Sequence, residues 1–329
     1  MMWTMICRRF VALPLLLLFG ACRVDAPALP FEEVLRNAVM VSQTVTSAAF
    51  RTDASIAFRG GSFGDGGGNL HLQGTINDGG RLVATAVDGS LRFRDGEGQD
   101  RTVRALLDTV SVNAQRFYLM IRSLVADPSG GIFDATTVQR LQGVWWEFSR
   151  EGSEADLTVA PSIRLLQAQA SVVTVTRDLG VDRVDGVPAY HYAVVLDPER
   201  FFVYMQALAE ERGEQIDEQE LRTQIQSLQA TGELWISAQD FHLLRADWEI
   251  PSLRMTEGSL VRVESSTVLS QYGAAPAIQM PAQSQPFPDP ATMFFETDPD
   301  RSLPQGVSPS DLRSAVGENA DTAIFPPSE

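Results

Sequence analysis

Lysine does not occur in this chain: all 26 basic residues are arginine. Chemistry that needs a side-chain amine is therefore excluded. A P-loop lacks its lysine, a Schiff-base enzyme its nucleophile and a kinase its strand lysine. A GC-rich genome that favours arginine codons is the plain cause. Cysteine is almost missing too. Cys7 and Cys22 both fall in the first 22 residues, so no internal disulfide staples the folded part and no four-cysteine or Cys₂His₂ metal site is possible. The three histidines, His71, His191 and His242, sit in strand patterns, where a strand-surface or satisfied core histidine is the ordinary reading. There is no Gly-x-Ser-x-Gly elbow, His-Glu-x-x-His helix or dinucleotide fingerprint. Gly60–Gly68 is glycine-rich but lacks the Gly-Lys-Ser/Thr ending of a phosphate cradle, and reads as a loose hairpin loop. Asp95, Glu97 and Asp100 depart from EF-hand spacing. Catalysis, a cofactor and a metal are not expected. Positive charge is also short: the formal charge is −16, which disfavours nucleic acid as a partner.

What is present begins at the N-terminus. Arg8 and Arg9 precede an apolar run of 12 residues, Phe10–Ala21. Spanning a bilayer takes roughly 20 residues, so this reads as a secretory signal peptide. The run ends Phe19-Gly20-Ala21-Cys22, which resembles a bacterial lipobox; it departs at Phe19, where leucine is usual. The resemblance implies residues 1–21 as a lipoprotein signal peptide and Cys22 as the lipidation site. The expected address is exported, anchored to the outer face of the cytoplasmic membrane or to the outer membrane. Residues 22–30 form a Pro/Ala tether.

Apolar content of 44% is enough for a core. Phe31, Val34, Leu35, Ala38 and Val45 follow helical spacing, predicting an amphipathic helix over Phe31–Ala49. Alternation then predicts strands around Phe50–Phe58 and Leu70–Ile76, at Leu82–Val87 and Leu91–Arg94 on either side of an Asp88-Gly89 turn, and at Val103–Val112 and Arg116–Ile121. Ala135–Leu141 and Pro161–Ala170 read as short helices, with Val144–Phe148 as a strand between them. Asp185-Gly186 signals a hairpin joining Val175–Val184 to Val187–Leu196. Two helical stripes follow: Phe201, Phe202, Met205 and Leu208, then Leu221, Ile225 and Leu228. A second hairpin, Leu234–Ser237 with Phe241–Ile250, and a strand Leu260–Tyr272 complete the pattern. Residues 282–329 are Pro-rich and acidic, and are expected to be disordered. The expected fold is α+β: a large curved antiparallel sheet over residues 31–281, a half-barrel with helices on its concave face.

Val184-Asp185-Gly186-Val187-Pro188-Ala189-Tyr190-His191-Tyr192, running into Val195-Leu196-Asp197, precedes a helical insertion and Leu234-Trp235-Ile236. With the lipobox upstream, this order over about residues 22–281 resembles the LppX/LprG lipoproteins and, more broadly, the LolA/LolB-like fold. The acidic tail and long Gly-rich loops depart from it. The resemblance implies a container for acyl chains of lipids or lipoproteins, moved across the envelope, with no catalytic residues. The side chains expected to line it are Val34, Leu35, Phe58, Leu72, Phe117, Leu119, Phe201, Met205, Leu221, Ile225, Leu228 and Trp235. Strand parity decides each, since a one-residue error flips the face. The alternative is a non-carrier envelope lipoprotein, a scaffold acting through its loops and acidic tail. The sequence names no protein partner.

Overall fold

The computed structural model describes residues 29–60, 64–94, 98–112, 116–128, 135–149, 171–212, 216–254 and 259–287. The expected signal segment, Cys22, the expected helix at Pro161–Ala170 and residues 288–329 lie outside them.

The alternating segments become β1 (Ala48–Arg59), β2 (Gly66–Asn77), β3 (Leu82–Arg94), β4 (Asp100–Val112), β5 (Arg116–Asp127) and β6 (Trp145–Ser149). The second half supplies β7 (Val173–Val184), β8 (Val187–Leu196), β9 (Thr231–Ser237), β10 (Leu243–Arg254), β11 (Leu260–Ser270) and β12 (Gln285–Pro286). All join one sheet in the order β12-β6-β5-β4-β3-β2-β1-β11-β10-β9-β8-β7. Every neighbouring pair is antiparallel except β12 with β6. The two ends do not meet, so the sheet is an open half-barrel of the α+β class, as expected. The first and last meanders join at β1–β11, where buried Thr52 and Thr267 hydrogen-bond across the seam at 2.9 Å.

The helices are α1 (Phe31–Ser42), α2 (Ala135–Leu141), α3 (Pro198–Arg212) and α4 (Glu218–Ser227). Pro30 precedes α1, and Glu32 and Glu33 sit in its first turn, favourably placed for the helix dipole. Asp197 caps α3 by accepting from the Glu199 and Arg200 amides, both at 3.1 Å. Asp217 does the same for α4, from Gln219 at 2.9 Å and Glu220 at 3.0 Å. The Asp185-Gly186 hairpin has φ of 48° and 85°, the positive values a two-residue turn between twisted strands requires.

Four sequence expectations are corrected. The N-terminal helix ends at Ser42 and the chain has already entered β1 at Ala48. Asp88-Gly89 is not a turn: β3 runs straight through it, paired residue by residue with β2 and β4. Gly66–Gly68 belongs to β2 rather than to a loop. The order also continues past Pro281, because β12 pairs with β6 and the Phe287 amide donates to the Glu147 carbonyl at 3.0 Å.

The glycines of β2 explain why it persists as a strand. A Cβ on Gly66 would lie 2.5 Å from the Phe58 ring, and one on Gly74 would lie 2.6 Å from the Phe50 ring and 2.2 Å from the Ala84 carbonyl. Each glycine lies directly across from its aromatic partner, so the ring covers bare backbone.

Candidate functional site

The register sorts the sheet into two faces. Phe50, Thr52, Ala54, Ile56 and Phe58 of β1 share the inner face with Leu70, Leu72 and Ile76 of β2, and with Val83, Val87, Leu91 and Phe93 of β3. The same rows continue through Trp248, Ile250 and Val263 to one side and Val103, Ala105 and Leu124 to the other. This face is largely apolar, with Thr52, Thr85, Thr109, Ser111 and Thr267 as a band of hydroxyl side chains across it.

It is covered unevenly. At the β8–β10 end it is filled. Val34 and Ala38 of α1 pack on Tyr190, Tyr192, Val194, Leu234, Ile236 and Ala246, with Leu35, Phe201 and Tyr204 against the cluster. Burial pushes the Tyr192 phenol well above its ordinary value, with Asp178, Tyr190 and Glu32 adding to it. Phe202, Leu221 and Ile225 close the gap between α3 and α4, with Phe201 and Met205 alongside and the Arg222 guanidinium 3.7 Å above the Phe202 ring. In the middle, Phe50, Leu72, Ile76, Val83, Val87 and Leu269 form a second buried cluster. Towards the β1–β2 and β3–β4 strand ends the cover thins. Ile56 and Leu91 are each 37% exposed, and Phe58, Leu70, Phe93, Val103, Leu124, Ile250 and Val263 are only half-buried.

The expected lining residues therefore separate into groups. Phe58 lies on the uncovered part. Leu72 is buried in the middle cluster. Phe117 and Leu119 share the inner face across β5, where Phe117 meets Phe148 at 5.8 Å. Val34, Leu35, Phe201, Met205, Leu221 and Ile225 belong to the packed helical end, and Leu228, half-buried, follows α4. Trp235 stands on the opposite face. There it stacks on His191 at 4.2 Å, lies 4.7 Å beneath Arg245 and donates its indole N–H to Asp182 at 3.2 Å. Its neighbours in sequence, Leu234 and Ile236, hold the inner positions, so the expected parity at this strand was off by one. His191 is satisfied there as well, 2.8 Å from Glu233. Ile56, Leu70 and Leu91 are inner-face residues the sequence reading did not name. Shared parity with Phe58 and Leu72 would have found the first two.

Beyond β5 the inner face ends in an aromatic corner. Phe287 stacks on Phe148 at 4.5 Å and meets Trp146 edge-on at 5.9 Å. On the opposite face, a groove of about 660 Å³ opens over Ser55, Ala57, Gly67, Asn69, Ser90 and Thr102. Among the described residues, no three metal-ligating side chains gather, and no helix is long and apolar enough to cross a membrane.

Among the solved structures that match are LprF, the lipoprotein LppX and a LolA-superfamily protein. LprF from Mycobacterium bovis is 13% identical and covers 77% of this chain and 97% of its own, with a TM-score of 0.37. The lipoprotein LppX from Mycobacterium tuberculosis is 12% identical over 76% of this chain and all of its own, at 0.30. The LolA-superfamily protein NE2245 from Nitrosomonas europaea is 9% identical, covering 77% and 96%, at 0.21. LppX and LolA, names that the sequence resemblance gave, thus recur among these neighbours, all at low TM-scores. No protein-family profile and no curated protein matches the chain.

Proposed function

We propose that this chain is an exported envelope lipoprotein, anchored through Cys22, that binds acyl chains of lipids or lipoproteins on its inner face and carries them across the envelope. One observation carries the reading: the sheet is largely apolar on one face, and that face is left part-uncovered around Ile56, Phe58, Leu70 and Leu91. Covering such surface with an alkyl chain is worth roughly 25 cal/mol per Å² removed from water. The α3–α4 pair stands over the packed end, with Phe201 and Tyr204 of α3 against its core. Its two helices pack chiefly on each other through Phe202, Leu221 and Ile225, while α3 is tied to β7 by Arg200 donating to the Val173 carbonyl at 3.0 Å and Thr174 donating to Asp197 at 3.2 Å. Displacing that pair would extend the apolar face.

Native mass spectrometry of the gently purified protein tests the proposal. Bound lipid, lost on detergent exchange and regained from added lipid, is expected. A protein that is repeatedly empty and fails to take up lipid would refute it. Such a result would leave the scaffold reading, in which removal of residues 288–329 abolishes capture of a partner. A carrier of the kind proposed keeps its lipid after that deletion.

A further inference from the structure

The groove on the outer face is a second candidate site, which borders the inner apolar face at Ile56, Gly68 and Leu91. Its floor is made of side chains too short to fill it. Ser55 and Ala57 of β1 lie beside Asn69 and Gly67 of β2; Asn69 lies beside Ser90 of β3, Gly67 beside Arg92, and Thr102 of β4 beyond Arg92. Gly67 belongs there for a physical reason, since a Cβ would stand 2.7 Å from the Ile56 carbonyl. An outward sheet face is usually roofed by the stems of long charged side chains. Here they form walls instead. Arg92 and Arg104 stand on neighbouring strands, one register step apart, because Arg92 pairs with Thr102 and Ser90 with Arg104. Arg262 faces them from β11, three strand spacings or about 14 Å from Arg92. The open groove's volume of about 660 Å³ lies within the range of about 300–1,000 Å³ typical of small-molecule sites.

The charges are arranged unevenly. Arg262 is held by Glu249 at 2.8 Å and Glu264 at 2.7 Å. Arg92 shares Asp100 with Arg94, at 3.1 and 3.2 Å. Arg104 has no carboxylate partner among the described residues. One wall thus carries an arginine outnumbered by two carboxylates, of which Glu264 lines the groove, and the other an excess of cation, above a floor of hydroxyl and amide groups. That excess stands out on a chain of net charge −16. A guanidinium pair over hydrogen-bonding side chains suits a tetrahedral oxyanion, which accepts several charge-assisted bonds at once.

We propose that this groove binds a phosphate group carried on a small polar body, with Arg104 and Arg92 holding the anion and Ser90, Asn69 and Thr102 holding the body. Two sources share that chemistry: the glycerophosphate headgroup of an anionic lipid and a free phosphate ester. The groove meets the acyl-binding row at Ile56, Gly68 and Leu91, but the polar side chains it uses are the opposite ones of the same strands.

Calorimetric titration of the full-length chain in a neutral detergent tests it with two probes. Glycerol 3-phosphate is one. The other is short-chain phosphatidylglycerol measured against phosphatidylcholine, whose acyl chains are equally open to the inner face. Saturable binding of glycerol 3-phosphate, weakened about tenfold or more by Arg104→Gln and by Arg92→Gln, is expected from the loss of one charge-assisted bond each. A preference for phosphatidylglycerol that the same substitutions erase would support the site with lipid as the source. Glycerol 3-phosphate binding without that preference would support it with a soluble ester as the source. Arg177→Gln, on the edge strand β7, should change neither. Absence of binding by both probes, or binding indifferent to Arg92 and Arg104, would overturn the site. Native mass spectrometry of Arg104→Gln still reports bound acyl lipid, so failure here and failure of the inner-face proposal remain distinguishable.

Discussion

Single atoms decide whether β2 can exist, and Gly74 is the sharpest case. Its missing side chain leaves room for the Phe50 ring and for the Ala84 carbonyl; a methyl there would stand 2.6 and 2.2 Å from them. Backbone cannot yield cheaply, so Gly74→Ala should destabilise by about 2–3 kcal/mol, the cost of overpacking a tight site. Urea denaturation measures it. Asp197 makes a different argument. The Arg200 amide is the first cause holding its carboxyl below the ordinary value, and it prevails over partial burial with help from Thr174 and the Arg200 side chain. A carboxyl depressed in the folded state contributes stability that is complete above its unfolded pKa of about 3.9 and is lost as pH falls through the folded value. Asp197→Ala should therefore cost about 1 kcal/mol at neutral pH, as loss of a helix cap does, and the gap between variant and parent should close as the solution is acidified below about pH 4. A gap unchanged at low pH would show that the charge contributes nothing.

Elements were legible in the sequence where one local rule acted alone. The Asp185-Gly186 hairpin and the short helix Ala135–Leu141 needed no knowledge of neighbours. Asp88-Gly89 carries the same dipeptide as the true hairpin and yet continues a strand. Partners on both sides, β2 and β4, supply a ladder for its whole length, and a tertiary ladder outweighs a turn preference. The face of Trp235 was illegible for a related reason: parity depends on which of two adjacent apolar residues meets α1, and that is a contact between distant segments. The C-terminal boundary failed similarly. Gln285–Phe287 has no periodicity of its own and is ordered by what it touches. Phe287→Ala should therefore lower the melting temperature, with a loss of about 1–2 kcal/mol for the stacking and contact it makes with Phe148 and Trp146. A melting curve identical to the parent's would mean that β12 adds nothing to stability.

At the scale of the whole molecule, one sheet serves two purposes at its two ends. Around β8–β10 the inner face is a finished core, sealed by α1 and the α3 aromatics. Around the free ends of β1–β4 the same face is apolar but incompletely covered, and the cover cannot come from the short helices α1, α3 and α4, which are occupied elsewhere. A protein selected only for stability would place polar side chains at such positions. Ile56 and Leu91, adjacent in the row through Gly68, mark where binding and folding part company. A Leu91→Glu substitution removes apolar surface that the fold has not buried, so its effect on stability should be under about 1 kcal/mol, the range for exposed sites. Its effect on lipid retention should be several-fold, because the charge must be desolvated before an alkyl chain covers it. Val34→Ala inverts the pattern. Val34 is fully buried beneath α1, and shortening it should cost about 1–3 kcal/mol while leaving lipid occupancy intact. Measured side by side by thermal melting and native mass spectrometry, the two variants assign the acyl site to one end of the sheet. Loss of lipid from Val34→Ala but not from Leu91→Glu would move the container to the helical end.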